Sequence, residues 1–185
     1  MKIYVSVFKV LFYLSGALFA NDISEKVTCK TGAYSEDKDP AGTNIRAKPR
    51  GKIIGRIPSQ TVFSVTGYMN DWFEVSKFEY DINDDSDLAY AKSHGHKIKN
   101  QTAYILGLKG WIHKNHVAFH FGGKSDAALY EKPDEDSKVI MPIKNADQEI
   151  LFSVISCKDN WYKVKFKGRV GWVNSICLMT KTNCN

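Results

Sequence analysis

The sequence lacks the short motifs by which many enzymes are identified. It contains no Gly-x-Ser-x-Gly nucleophile motif, no glycine-rich phosphate-binding loop and no His-Glu-x-x-His metal motif. It also lacks any long segment with the period of an amphipathic helix. These absences argue against an enzyme, and the sequence predicts no cofactor.

Cysteine is scarce, and no two cysteines form a Cys-x-x-Cys pair. This absence argues against a zinc ribbon and against thioredoxin-type redox chemistry. An even number of cysteines in an exported chain favours structural disulfides over reactive thiols. Three pairings are open, and the sequence does not choose among the four candidates, which are Cys29, Cys157, Cys177 and Cys184.

No long apolar run follows the first twenty residues. Residues 5–19 form an apolar stretch broken by Lys9, with Lys2 before it and a small residue, Ala20, after it. This order predicts a cleaved signal peptide over residues 1–20, so the mature chain has no stable membrane insertion. An uncleaved anchor or a buried first strand is the alternative. Export predicts a periplasmic or secreted protein.

The excess of positive charge is small. The whole chain has a formal charge of +6, and removal of Lys2 and Lys9 with the signal peptide leaves +4. This excess weakly favours anionic partners. The basic residues are interleaved with Asp and Glu, so a nucleic-acid partner is not predicted.

Short apolar runs, separated by Gly and Pro, make up most of the remaining chain. They are rich in Val, Ile, Phe, Tyr and Trp, which is typical of short antiparallel strands joined by turns. The runs cover residues 52–57, 62–68, 72–76, 103–112, 139–143, 150–155, 161–166 and 170–173. The sequence therefore predicts an all-β protein.

Two phrases occur twice and contain all four tryptophans. Residues 71–75 (DWFEV) return as 160–164 (NWYKV), and residues 110–113 (GWIH) return as 171–174 (GWVN). A repeated pair of strands indicates two copies of one small β module. Small β modules in tandem are more often binding proteins than catalysts.

The first copy contains an insertion. Trp72 and Trp161 are 89 residues apart, whereas Trp111 and Trp172 are 61 apart, so the first copy has 28 extra residues between its two phrases. In the second copy a tight hairpin turn at residues 167–169 is predicted there. In the first, residues 77–109 replace it, and such a segment is either functional or disordered.

The order of these phrases resembles the bacterial SH3 domain family. The opening segment 42–49 (GTNIRAKP) is followed by an apolar strand, a Trp-containing strand and then Gly-Trp-Val or Gly-Trp-Ile. The resemblance covers about residues 40–119 and 126–179. It implies two tandem SH3-like small β-barrels that bind cell-wall peptide or glycan in the envelope.

This resemblance divides the chain into four parts. They are a signal peptide over residues 1–20, a first domain over 21–120, a linker over 121–125 and a second domain over 126–185. The second copy departs from the family at its opening, and its Cys157 takes the place of Tyr68.

Strand alternation places one tryptophan of each copy on the more polar face of its strand. Phe73 and Val75 share one face, so Trp72 lies opposite them, and Trp161 is placed in the same way. Such a tryptophan either forms the floor of a ligand groove or is covered by a neighbouring loop or module. The predicted ligand-binding residues are Tyr68, Trp72, Tyr130 and Trp161.

Two other clusters allow alternative interpretations. A basic row, Lys163, Lys165, Lys167 and Arg169, could face carboxylates, although protection of a solvent-exposed edge strand is the favoured interpretation. The five histidines, all within residues 94–120, could bind zinc or copper, but no other ligand stands at a recognisable spacing beside them. No metal is therefore predicted.

The leading hypothesis is an exported, non-enzymatic protein that binds cell-wall peptide, peptidoglycan or an envelope protein. The first alternative is an immunity or inhibitor protein that blocks a secreted toxin or a wall hydrolase, with the insertion as a plug. A metal-dependent enzyme or metal carrier is a third class. The oligomeric state is not predicted.

Overall fold

The predicted all-β architecture is confirmed in the computed structural model, which describes residues 25–121, 127–144 and 150–174. These residues form fifteen strands, one α-helix and one 3-10 turn. Those before the inserted helix are β1 (Val27–Ser35), β2 (Thr43–Arg46), β3 (Ile53–Ile57), β4 (Val62–Met69) and β5 (Trp72–Asp81). The helix is α1 (Asp85–Ser93), and the 3-10 turn is Lys114–His116. The later strands are β6 (Lys97–Lys99), β7 (Thr102–His113), β8 (Val117–Ala118), β9 (His120–Phe121), β10 (Ala128–Tyr130), β11 (Val139–Pro142), β12 (Ile150–Leu151), β13 (Ser153–Lys158), β14 (Trp161–Phe166) and β15 (Arg169–Val173).

Two sets of five strands have the same neighbour order. The first unit follows the path β3-β2-β7-β5-β4, and the second unit follows β11-β10-β15-β14-β13. The registers also agree, because Val75 pairs with Gly110 as Val164 pairs with Gly171. The repeat in the sequence is therefore also a repeat of topology.

The predicted alternation is present in both tryptophan strands. Phe73 and Val75 on β5 are fully buried, and Tyr162 and Val164 on β14 occupy the matching buried positions. These side chains belong to one continuous apolar core that includes residues of both units. Phe119 lies between the units, with its ring centroid 5.4 Å from that of Phe73 and 6.4 Å from that of Tyr162.

The insertion extends the central hairpin of the first unit. In the second unit β14 and β15 meet at the predicted tight turn, where Lys167 and Gly168 have φ values of 46° and 78°. In the first unit β5 and β7 continue until Asp81 pairs with Thr102. We call residues 77–108, which include α1 and β6, the arm.

The helix in the arm was not predicted. Asp84 caps it, because its carboxylate accepts hydrogen bonds from the backbone N–H groups of Ser86 and Asp87. Its nine residues bury only Ala91. A helix this short with one buried residue leaves almost no periodic signal in the sequence.

Strand β1 joins the two units. It pairs with β4 in the first unit, and Cys29 forms a disulfide with Cys157 of the second. Backbone hydrogen bonds from Lys30 N to Asp159 O (3.0 Å) and from Asp159 N to Thr28 O (2.7 Å) lie beside it. The predicted disulfide chemistry is confirmed for this pair, while Cys177 and Cys184 lie outside the described residues.

Two predicted segments fall wholly or mainly outside the described part of the chain. Residues 1–20, the predicted signal peptide, are not described. Of the predicted linker, 121–125, only Phe121 is described, where β9 pairs with β12. Across the described ranges, no helix has the length and apolar character needed to cross a membrane.

Candidate ligand-binding face

Three aromatic side chains and a lysine come together on the outer face of the second unit. Lys163 on β14 pairs with Trp172 on β15, which in turn pairs with Tyr130 on β10. Because cross-strand partners point to the same side of a sheet, these three share a face. Trp161 lies two residues before Lys163 and joins them. We call these four residues the aromatic face.

The aromatic face combines ring contacts with solvent access. The ring centroids of Tyr130 and Trp161 are 5.5 Å apart at an interplanar angle of 89°. The ammonium of Lys163 lies 6.0 Å from the ring centroid of Trp172. All four side chains are half-buried, so each still presents part of its surface to solvent. Such a face can stack against the apolar and planar groups of a peptide or sugar.

The equivalent face of the first unit is closed. Trp72 and Trp111 are only 9% and 8% exposed. Arg46 occupies the position of Tyr130, because it pairs with Trp111, and its guanidinium lies 5.9 Å from the Trp72 ring. The ring of His113 packs edge-on against Trp72, with centroids 5.1 Å apart.

A buried carboxylate completes this closed face. Glu74, at the position of Lys163, has its oxygens 3.0 Å from Lys26 Nζ and 3.2 Å from Lys109 Nζ. The hydroxyl of Thr66 also donates to it at 2.9 Å. Burial opposes ionisation, but the hydrogen bonds from Lys26, Thr66 and Lys109 outweigh it and lower the pKa of Glu74. The carboxylate of Glu74 thus has its hydrogen-bond and ion-pair partners within the protein.

The structure brings together two of the four predicted ligand-binding residues. Tyr130 and Trp161 are in contact, as described above. Tyr68 pairs with Phe73 and packs against its ring at 5.1 Å, whereas Trp72 points to the other side of the sheet. Tyr68 and Trp72 therefore do not line one groove in the first unit.

The predicted equivalence of Tyr68 and Cys157 agrees with the register. Cys157 pairs with Tyr162 as Tyr68 pairs with Phe73. The Tyr68 hydroxyl donates to Asp71 Oδ1 at 3.1 Å. Burial, together with this neighbouring carboxylate, raises the pKa of Tyr68. Tyr68 therefore contributes to packing in the first unit, whereas Cys157 at the equivalent position forms the disulfide in the second unit.

The favoured interpretation of the basic row was wrong. Strand β14 lies between β13 and β15, so Lys163 and Lys165 do not protect a sheet edge.

The contribution of Trp172 to the aromatic face was not predicted from the sequence. Its alternation with the buried Gly171 and Val173 was a usable signal, but its neighbours on the face depend on the cross-strand register.

Four of the described histidines form two separate pairs, with ring centroids 5.7 Å apart for His94 and His96 and 6.4 Å apart for His113 and His116. On the arm, His96 Nδ1 lies 3.0 Å from the Tyr80 hydroxyl, and His94 stacks on Tyr90 with centroids 4.0 Å apart. Burial lowers the pKa of His96 and, with nearby Tyr90 and Asp87, raises that of Tyr80 to about 12. In the described ranges, no three His, Cys, Asp or Glu side chains are grouped as metal ligands.

Two solved structures from Trichomonas vaginalis show a low similarity to the chain. NlpC2 is 13% identical over 82% of this chain and 48% of that chain, with a TM-score of 0.36. NlpC1 is 12% identical over 86% of this chain and 49% of that chain, also with a TM-score of 0.36. The chain thus spans about half the length of either protein.

No curated protein matches the chain. The family model described as "Bacterial SH3 domain" matches residues 123–178, which contain the second unit. This match and the strand order together confirm the predicted SH3-like all-β fold class. Residues 123–178 are therefore similar to a bacterial SH3 domain, and the aromatic face lies within the matched range.

Proposed function

We propose that this protein is an exported, non-enzymatic binding protein that recognises cell-wall peptide on the aromatic face of its second unit. The observation that carries the proposal is the contrast between two equivalent faces. Trp161 and Trp172 are half-buried and accessible, whereas Trp72 and Trp111 are covered. Bacterial SH3 domains commonly bind cell-wall material or proteins, and the open face is where a ligand could stack.

In this proposal the first unit is a second module of the same family, and its closed face does not bind cell-wall peptide. Its support is the shared strand order and the matching register of the tryptophan strands. Its closed face and its core contacts with Phe119 give it a structural role, which is to hold the arm and the second unit.

The proposed location is the periplasm or the exterior, after cleavage of residues 1–20. The disulfide between Cys29 and Cys157 supports this, because such bonds persist in oxidising compartments. A bacterial SH3 domain at residues 123–178 supports it too.

Co-sedimentation with purified sacculi tests the proposal. We expect Trp172→Ala, made in the mature chain, to weaken binding about tenfold, because a central aromatic contact is removed. Leu106→Ala is the matched control, since Leu106 is a large apolar side chain that is 72% exposed on the arm of the first unit. Sacculus binding that is absent in the wild type, or unchanged by Trp172→Ala, would overturn the proposal.

A second candidate is an inhibitor or immunity protein that uses the arm as a plug. The observation in its favour is that the arm is built as a defined structure with its own small core of Tyr80, Ala91 and Ala103. A cavity of about 410 Å³ lies where the arm meets the first unit, between Tyr90, Pro40 and Pro58. A protein partner could bind there.

A further inference from the structure

The turns of the two equivalent hairpins carry opposite charges. In the first unit residues 47–52 join β2 to β3, and in the second unit residues 131–138 join β10 to β11. The first turn has a formal charge of +3, because its charged residues are all basic, namely Lys48, Arg50 and Lys52. The second has a formal charge of −2, because two lysines oppose four acidic residues, which are Glu131, Asp134, Glu135 and Asp136. We call residues 47–52 the basic turn and residues 131–138 the acidic turn.

Both turns are closed by the same backbone contact and present their charges to solvent. Ala47 N donates to Lys52 O at 3.0 Å, and Glu131 N donates to Lys138 O at 2.9 Å. The charged side chains of both turns are exposed. Within the described part of the chain, no salt bridge includes a residue of either turn. The two charges therefore remain available to a partner.

An exposed apolar side chain follows each turn at the equivalent position. Ile53 begins β3 and pairs with Arg46, whereas Val139 begins β11 and pairs with Tyr130. Ile53 is 43% exposed and Val139 is 47% exposed. Across the described ranges, β3 and β11 are the outermost strands of their sheets, so each side chain lies at an open edge. Open edges with apolar side chains favour association between chains.

The rest of the second unit restricts where a basic surface can approach it. Outside the acidic turn, the described acidic side chain of this unit is Asp159, next to Lys158 on the sheet edge opposite β11. The other described charges are basic, and they are Lys144, Lys158, Lys163, Lys165, Lys167 and Arg169. A basic surface is therefore attracted by the acidic turn and repelled elsewhere on this unit.

We propose that the chain associates with a second copy of itself, the basic turn of one copy contacting the acidic turn of the other. Ile53 and Val139 form the apolar centre of this contact, and opposite charges surround it. Because the contact joins unlike surfaces, association either closes on itself or continues into a chain of copies. This inference does not rest on the proposed function.

Sedimentation equilibrium of the mature chain, with its disulfide intact, tests the association. At ~0.1 M salt the Debye length is about 10 Å, so charges across the contact interact while more distant lysines are screened. The weight-average mass should then rise with concentration, with a dissociation constant of about 0.1 mM for a small polar contact. At ~1 M salt, where the Debye length is about 3 Å, the mass should return toward that of the monomer.

Two variants test the two surfaces. Lys48→Glu/Lys52→Glu reverses the charge of the basic turn, and Glu131→Gln/Asp136→Asn neutralises the acidic turn. Each should weaken association about tenfold, because several exposed charge pairs are lost together. An equimolar mixture should form a one-to-one pair, since the acidic turn of the first variant and the basic turn of the second are intact.

Glu36→Gln/Asp85→Asn is the matched control, because it removes two exposed carboxylates from other parts of the first unit. It should associate as the wild type does. The inference is overturned if the wild type stays monomeric up to about 1 mM, or if association survives in either turn variant. It is also overturned if the control loses as much affinity as the turn variants, or if the mixture stays monomeric.

Discussion

Removal of the Cys29–Cys157 disulfide should strongly destabilise the protein. The bond connects β1, which is paired with the first unit, to β13 of the second unit. It lies in the shared core, where both cysteines are at most 2% exposed. The double variant Cys29→Ser/Cys157→Ser removes this bond and leaves Cys177 and Cys184 in place.

The expected magnitude follows from the length of the closed loop. The two cysteines are 128 residues apart in the sequence. The chain-entropy relation for a loop of that length gives about 5 kcal/mol at 25 °C, and native disulfides typically contribute about 2–5 kcal/mol. Tyr162→Phe at the same junction removes the Tyr162 hydroxyl, which donates a hydrogen bond to Lys30 O, and should cost about 1 kcal/mol.

Urea unfolding followed by fluorescence and circular dichroism measures these losses. The wild type should unfold in one transition because the two units share a core, and the double cysteine variant should unfold at much lower urea. A loss below about 1 kcal/mol in the double variant would refute the reasoning from loop entropy. It would show that the packing of Phe119 and the hydrogen bonds of β1 are sufficient to hold the units together.

Three further predictions concern the first unit and the arm. Glu74→Gln should lower the free energy of unfolding at pH 7 by about 1–3 kcal/mol. The folded-state pKa of Glu74 is lowered, so the difference in unfolding free energy between variant and wild type should shrink as pH falls below the ordinary pKa of 4.5. A difference that does not change with pH would contradict this. Absorbance titration at alkaline pH should detect a tyrosine ionising near pH 12, absent in Tyr80→Phe; an unchanged curve would contradict the assignment. Replacing residues 77–108 by Lys-Gly should abolish capture of a protein partner if the chain is an inhibitor, and undiminished affinity would exclude the plug.

The local pattern of the sequence predicted much of the fold. The alternation of Phe73 and Val75 with Trp72 and Glu74 predicted both faces of β5, because side chains alternate with a period of two along any strand. The distances between the repeated phrases predicted that the first copy has 28 extra residues between its two phrases, which is where the arm lies. The helix α1 was not predicted, because one buried alanine in nine residues leaves no period to detect.

The candidate site was predicted only in part. Tyr130 and Trp161 were identified and do meet, but Trp172 and Lys163 join them through pairing across β10, β15 and β14. The interpretation of the lysines as edge protection failed because the order of strands in a sheet is a long-range property.

By itself, the sequence determined that the protein is all-β, that a pair of tryptophan-containing strands occurs twice, and that one tryptophan of each pair faces the polar side of its strand. Only the tertiary structure decided that Cys29 pairs with Cys157 and which tryptophan face is open. The physical reason is that local patterns follow from the geometry of one strand. The closure of the first face by Arg46, Lys26 and Lys109 depends on residues that are distant in sequence and meet only in the folded sheet.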